Sequence, residues 1–140
     1  MSIYVVDASV AAKWFLEEDL CAQARRVLGN GYNLHAPDFL LLEMDSIFWK
    51  RIRSGDITPA DGEKARLLLK QVSMELHPFA IFLDSAYEIA NMAQRSVYDS
   101  LYMALAILLD APMLTADRKL CNALKKTPFK KHITWVEDIK

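Results

Sequence analysis

What most constrains this chain is its alternation: short β-prone runs are separated by stretches long enough for a helix. Ile3-Tyr4-Val5-Val6 is apolar throughout, the pattern of a strand buried on both faces of a parallel sheet. Asn33–Ala36, Met74–Leu76, Pro112–Thr115 and Ile133–Val136 repeat the theme more weakly. Helices are expected between them, at Ala8–Leu16, Leu20–Leu28, Pro37–Arg53, from Thr58 through ARLLLKQV, and at Asp84–Gln94, Ser96–Leu109 and Asp117–Leu124. The punctuation agrees. Gly29-Asn30-Gly31 is a break, Pro37 suits the first position of a helix, and Ser54-Gly55 closes one. Thr58-Pro59-Ala60-Asp61 supplies a cap, a proline at the first helical position and an acid at the third. Short strands alternating with helices give an α/β fold with a parallel sheet covered on both faces.

The 140 residues suit a single domain, 1–140, able to bury a core without staples. Four Gly and five Pro leave little room for long loops. Cys21 and Cys121 form no C-x-x-C pair and read as buried thiols of a reducing compartment. The start MSIYVVDASV has no basic segment ahead of its apolar run and does not read as a signal peptide. The uncharged run from Ser100 to Leu109 is about half of the ~20 residues a membrane span needs. A cytoplasmic protein with no membrane contact is expected. There is no G-x-G-x-x-G and no P-loop, so nucleotide-fold signatures are missing.

The acids are the informative residues. In open α/β sheets, sites form beyond the carboxyl ends of strands. Asp7 stands there after IYVV, and Asp117 just past PMLT. Asp99 is the single charge in SVYDSLYMALAILL. Each has a local reading as a helix cap or first-turn acid, and Ser96 with Asp99 fits a capping box. Glu43 resists that reading. It lies in LLLEMDSIFW beyond the first turn, with Phe39, Leu40 and Ile47 on its own face, where a carboxylate is costly unless paired or metal-bound. Asp45 points elsewhere and reads as solvated. If Asp7, Glu43, Asp99 and Asp117 converge, their repulsion demands a counter-ion. Oxygen ligation alone favours Mg²⁺ or Mn²⁺, ions that activate water in phosphodiester cleavage. Spacing leaves convergence open.

YVVDASVAAKWFLEE, APDFLLLEMDSIFWK, SVYDSLYMALA and TADRKL resemble, in this order, the four acidic blocks of PIN-domain ribonucleases, above all the VapC-type toxins of toxin–antitoxin pairs. The resemblance spans Ile3 to about Val136. It implies a three-layer α/β/α domain with a central, mostly parallel sheet of four or five short strands. It implies a metal-dependent endoribonuclease in which Asp7, Glu43, Asp99 and Asp117 are the catalytic, metal-holding acids for Mg²⁺ or Mn²⁺. Ser9 and Thr115 match hydroxyls that line the pocket. Ser46 stands where such toxins often carry Asn, and its reach is shorter. The implied partners are an RNA substrate, a cognate antitoxin and a second copy in a homodimer.

Net charge is −1, which speaks against indiscriminate nucleic-acid binding. Setting the four acids aside reduces the acidic count from 18 to 14 against 17 basic residues, so the remaining surface is mildly basic. Lys50, Arg51 and Arg53 are candidate RNA contacts, as are the lysine pairs at 125–126 and 130–131; each also reads as a solvated helix end. His35, His77 and His132 lack ligand spacing and read as loop or strand-end residues. Of Trp14-Phe15 and Phe48-Trp49, at least one of each pair belongs in the core. Two other functions fit the fold: a catalytically inactive RNA- or protein-binding module, and a phosphatase or phosphotransferase with a strand-end Asp as nucleophile. A nucleophile of the dehalogenase type wants an acid two residues after Asp7, where this chain has Ser9.

Overall fold

The computed structural model describes residues 1–140. Five strands form one wholly parallel sheet: β1 (Ser2–Val6), β2 (Tyr32–Pro37), β3 (Met74–His77), β4 (Met113–Thr115) and β5 (Ile133–Trp135). The helices are α1 (Ala8–Phe15), α2 (Cys21–Arg25), α3 (Phe39–Arg53), α4 (Pro59–Gln71), α5 (Leu83–Ala93), α6 (Val97–Leu109) and α7 (Arg118–Lys125). Parallel neighbours need crossovers, and the helices supply them. The strand order is β3-β2-β1-β4-β5. The chain winds outward from β1 through β2 to β3, then returns to the other side of β1 with β4. The order therefore reverses between β1 and β4, and a crevice opens beyond the carboxyl ends of such a pair. Asp7 and Asp117 lie at those two ends.

Burial explains the elements. Val5 and Val6 are fully buried in β1. In α6 every residue from Ser100 to Ala106 is buried, so the middle of this helix is enclosed by protein and needs no polar face, while Tyr98 and Leu108 near its ends stay exposed. By contrast α3 buries one row, Leu40, Met44 and Phe48, at the i, i+4 spacing of one helix face. Trp14 and Phe48 enter the core while Trp49 stays 57% exposed. Both cysteines are free and buried. No helix is long and apolar enough to cross a membrane.

Most elements lie within two residues of the sequence expectation. Pro37 is a correction. It ends β2, in register with His77, and does not open the helix. The pairing of β2 with β1 ends at His35, so the missing N–H of Pro37 interrupts no ladder bond, and the ladder to β3 continues one residue further through Asp38 N donating to the His77 carbonyl at 2.8 Å. The helix begins at Phe39, with Asp38 as its N-cap residue. The run at Asn33–Ala36, weak in sequence, is an inner strand with Leu34 to Pro37 buried. The segment Leu20–Leu28 is a short α-helix followed by a tighter turn over Arg26–Leu28. Thr58 and Asp61 form the complete capping box. After α3, Gly55 takes φ +80°, a conformation glycine adopts at no steric cost.

Candidate metal centre

Asp7 ends β1 and caps α1. Its side chain is buried and fully partnered: Oδ1 accepts from Ser9 Oγ (2.5 Å) and Val10 N (3.2 Å), and Oδ2 accepts from Thr115 Oγ1 (2.6 Å). These donors favour the ionised form, yet burial outweighs them and pushes the Asp7 carboxyl up to about 7, with the Glu43 charge adding in the same direction. Across the crevice, Thr115 Oγ1 also accepts from Asp117 N (3.1 Å), and Ser9 Oγ accepts from Ala116 N (2.9 Å). Two hydroxyls thus lace the ends of β1 and β4 together and fix the orientation of Asp7. Asp117 caps α7, accepting from Leu120 N at 3.1 Å.

The other two acids come from helices. Burial raises the Glu43 carboxyl; the Tyr102 hydroxyl, donating at 2.5 Å, opposes this, the Asp99 charge adds to it, and Lys50 opposes it. Burial also raises Asp99, against Arg95 and with Asp117. The four acids therefore feel one another in sequence, Asp7 with Glu43, Glu43 with Asp99, and Asp99 with Asp117. The structure brings them to one place from four separate segments.

The capping readings hold in part. Asp7 and Asp117 are both N-caps. Asp99 N donates to Ser96 Oγ at 3.0 Å, but the Asp99 carboxylate makes no return bond to the Ser96 backbone, whereas Asp61 completes that bond with Thr58 at 3.2 Å. Glu43 is half-buried. Its row with Phe39 and Ile47 lies beside the buried seam and is not the seam itself, because 3.6 residues per turn set adjacent rows about 100° apart. Ser46 is exposed and makes no side-chain hydrogen bond. Arg51 is held by Glu18 (3.0 Å) and by Asp56. Asp45 is exposed and forms an ion pair with Arg66. Sequence reasoning missed Tyr102 and Arg95. Tyr102 is three residues after Asp99 on α6, a spacing that shares a helix face, so that signal was available; Arg95 lies in the turn before α6 and carried none.

The chemistry of the donors suits a divalent cation. No ion pair engages Asp7, Glu43 or Asp117, and the pair at Asp99 is long, with Arg95 at 3.9 Å. Four carboxylates thus have only two cationic neighbours, Arg95 beside Asp99 and Lys50 near Glu43, neither in a close ion pair with them. No three of them bring ligand atoms within 4.8 Å of one another, a spacing compatible with an ion that keeps several of its waters, as Mg²⁺ does.

The raised Asp7 carboxyl has a consequence for the metal-free protein. Between its ordinary value of 3.8 and about 7, the folded chain holds a proton that the unfolded chain has released. Stability then falls as pH rises through that interval, by at most about 4 kcal/mol. In EDTA the melting temperature is expected to drop from pH 5 to pH 8, and Asp7→Asn should flatten the dependence. A wild-type melting curve that rises over this range contradicts the assignment.

The family model "PIN domain" matches residues 4–126. Ribonuclease VapC3 of Pyrobaculum aerophilum is 31% identical over 123 residues, covering 84% of this chain and 92% of that protein. Ribonuclease VapC9 of Mycobacterium tuberculosis is 30% identical over 118 residues, covering 84% of this chain and 88% of that protein. Among solved structures, PAE2754 from Pyrobaculum aerophilum superposes with a TM-score of 0.66 at 21% identity, covering 97% of this chain and 90% of its own. VapBC2 from Rickettsia felis, solved bound to a DNA fragment from its promoter, gives 0.65 at 14%, covering 95% of this chain and 98% of its own. The α/β/α architecture inferred from the acidic blocks is the one these structures share. With its model match across residues 4–126 and its VapC relatives, this chain belongs to the PIN domain family.

Proposed function

We propose that the protein is a Mg²⁺- or Mn²⁺-dependent endoribonuclease and the toxin of a toxin–antitoxin pair, acting in the cytoplasm. The observation that carries this reading is the convergence of Asp7, Glu43, Asp99 and Asp117 at the β1–β4 crevice with almost no protein cation to balance them. The ribonuclease names of its relatives supply the substrate class. The four carboxylates would hold the ion, which when bound polarises a phosphoryl oxygen and lowers the pKa of a coordinated water. Ser9 and Thr115 hold Asp7 in one orientation, and Tyr102 does the same for Glu43. Near Glu43, Lys50 and the end of α3 offer positive charge to an RNA backbone. Arg53 lies over the Trp49 ring at 5.2 Å; Arg51 is committed to its acidic partners and contributes less.

An antitoxin and a second copy of the chain are the proposed partners. Solved structures sharing this fold include toxin–antitoxin complexes. Leu42, Trp49, Leu67, Ile81, Tyr87 and Leu108 are large apolar side chains left exposed, and such residues supply contact surface. The test is incubation with total cellular RNA in EDTA, Mg²⁺ and Mn²⁺, with the new ends mapped. Cleavage at defined positions is expected with either metal and none in EDTA. Intact RNA under all three conditions would leave a non-catalytic binding module. Light scattering at micromolar concentration checks the dimer.

A further inference from the structure

We propose that His35, Glu75 and His77 form a second metal site, separate from the acidic centre, for one Zn²⁺-class transition-metal ion. His35 and Glu75 are register partners across β2 and β3, and His77 follows Glu75 by two residues. All three side chains therefore leave the same face of the sheet, from strands that fix their Cα positions.

The ligand atoms fit such an ion. His35 Nδ1 lies 2.9 Å from His77 Nε2 and 3.1 Å from Glu75 Oε2, and His77 Nε2 lies 3.7 Å from the same oxygen. Tetrahedral zinc, at about 2.0–2.1 Å from His nitrogen and 2.0–2.2 Å from carboxylate oxygen, spaces its ligand atoms by about 3.3 Å. The three edges straddle that value. Their atoms lie on a circle of about 1.9 Å radius, so an ion at bonding distance from all three sits only about 0.7 Å out of their plane. Glu75 is 65% exposed, which leaves the fourth position to water.

Hydrogen bonding alone fits the triangle poorly. One imidazole proton satisfies one edge, whichever nitrogen carries it. If His77 Nε2 donates to His35 Nδ1, the bare His35 nitrogen lone pair faces the Glu75 carboxylate. If His35 Nδ1 donates to Glu75, its proton blocks the approach of a donor from His77. A cation at the centre satisfies all three edges together. Glu75 has no Lys or Arg partner, its only ionic neighbours being the two histidines.

The two sites differ in hardness. The acidic centre offers oxygens at wide spacing and suits a hydrated hard ion; this one offers two imidazoles and a carboxylate at close spacing and suits Zn²⁺. Bound there, the ion ties edge strand β3 to β2. The sequence spacing gave no hint because the ligands come from strands about forty residues apart that meet only in the sheet.

The test uses the full chain carrying Asp7→Asn and Asp117→Asn, so that the acidic centre takes no part. Co²⁺ titration is expected to reach one equivalent with the visible d–d bands of a tetrahedral site, and stoichiometric Zn²⁺ to bleach them. Zn²⁺ at a hundredfold excess over Kd should raise the melting temperature by about 10 °C. Adding Glu75→Gln or His77→Gln should weaken Co²⁺ binding at least tenfold. Glu75 is solvent-exposed, so its variant folds as the parent does. No Zn²⁺ binding at micromolar concentration, or binding unchanged in the Glu75→Gln and His77→Gln variants, overturns the site. Neither result depends on RNA cleavage.

Discussion

Asp7→Asn is expected to give a folded protein that has lost RNA cleavage by at least about a hundredfold, since even the groups that merely orient metal ligands are worth 10–100-fold. The fold survives because the amide can serve the same neighbours. Its oxygen accepts from Ser9 and Val10, and its NH₂ donates to Thr115 Oγ1, whose second lone pair still receives Asp117 N. The substitution also removes a buried carboxylate that is expensive to ionise. Without metal, at pH 8, the variant should therefore melt no lower than wild type. With metal the order should reverse. An ion that binds only the folded state stabilises by about 2.7 kcal/mol at a hundredfold excess over Kd, and the variant should forfeit most of that. Cleavage near wild-type rates in Mg²⁺ would remove Asp7 from the centre.

Asp99→Glu separates two roles that the sequence could not. As a helix cap, position 99 gains from Glu, the preferred residue at the third position of a capping box. The existing bond, from the backbone N–H of residue 99 to Ser96 Oγ, is untouched by a side-chain change. The longer side chain can even supply the return bond to Ser96 that Asp99 does not make. Melting is thus expected to hold or rise slightly. As a metal-holding acid, the same residue moves its carboxylate by about 1.5 Å, toward neighbours already felt through Glu43 and Asp117. Misplacement on this scale costs about a hundredfold in rate. The expected result is unchanged melting with cleavage nearly lost, measured on one preparation. Unchanged cleavage would leave Asp99 as a cap alone.

Much of the fold was legible because its signals are local. The apolar run IYVV, the capping box at Thr58–Asp61 and Gly55 act over a few residues, and each formed as expected. Pro37 misled for the same reason. A proline suits both a strand end and a helix start, and only pairing with His77 on β3 decides between them. Glu43 was legible as a misfit on an apolar face, but not its degree of burial, which depends on which row of α3 meets the core.

Local residue patterns set the alternation of strand and helix, and with it a parallel sheet, since parallel strands require crossovers. They also set which acids stand at strand ends and helix starts. What those acids face depends on the packing of the whole chain. Asp7 and Asp117, 110 positions apart, are joined through Thr115 because β1 and β4 become neighbours where the strand order reverses. Tyr102 reaches Glu43, and His35 meets Glu75 and His77, by the same kind of long-range closure. Such contacts leave no periodic trace in the chain: the energy that fixes them comes from burying Val5, Met113, Met103 and Phe48 together, a collective property of the packed core that no short stretch of residues carries.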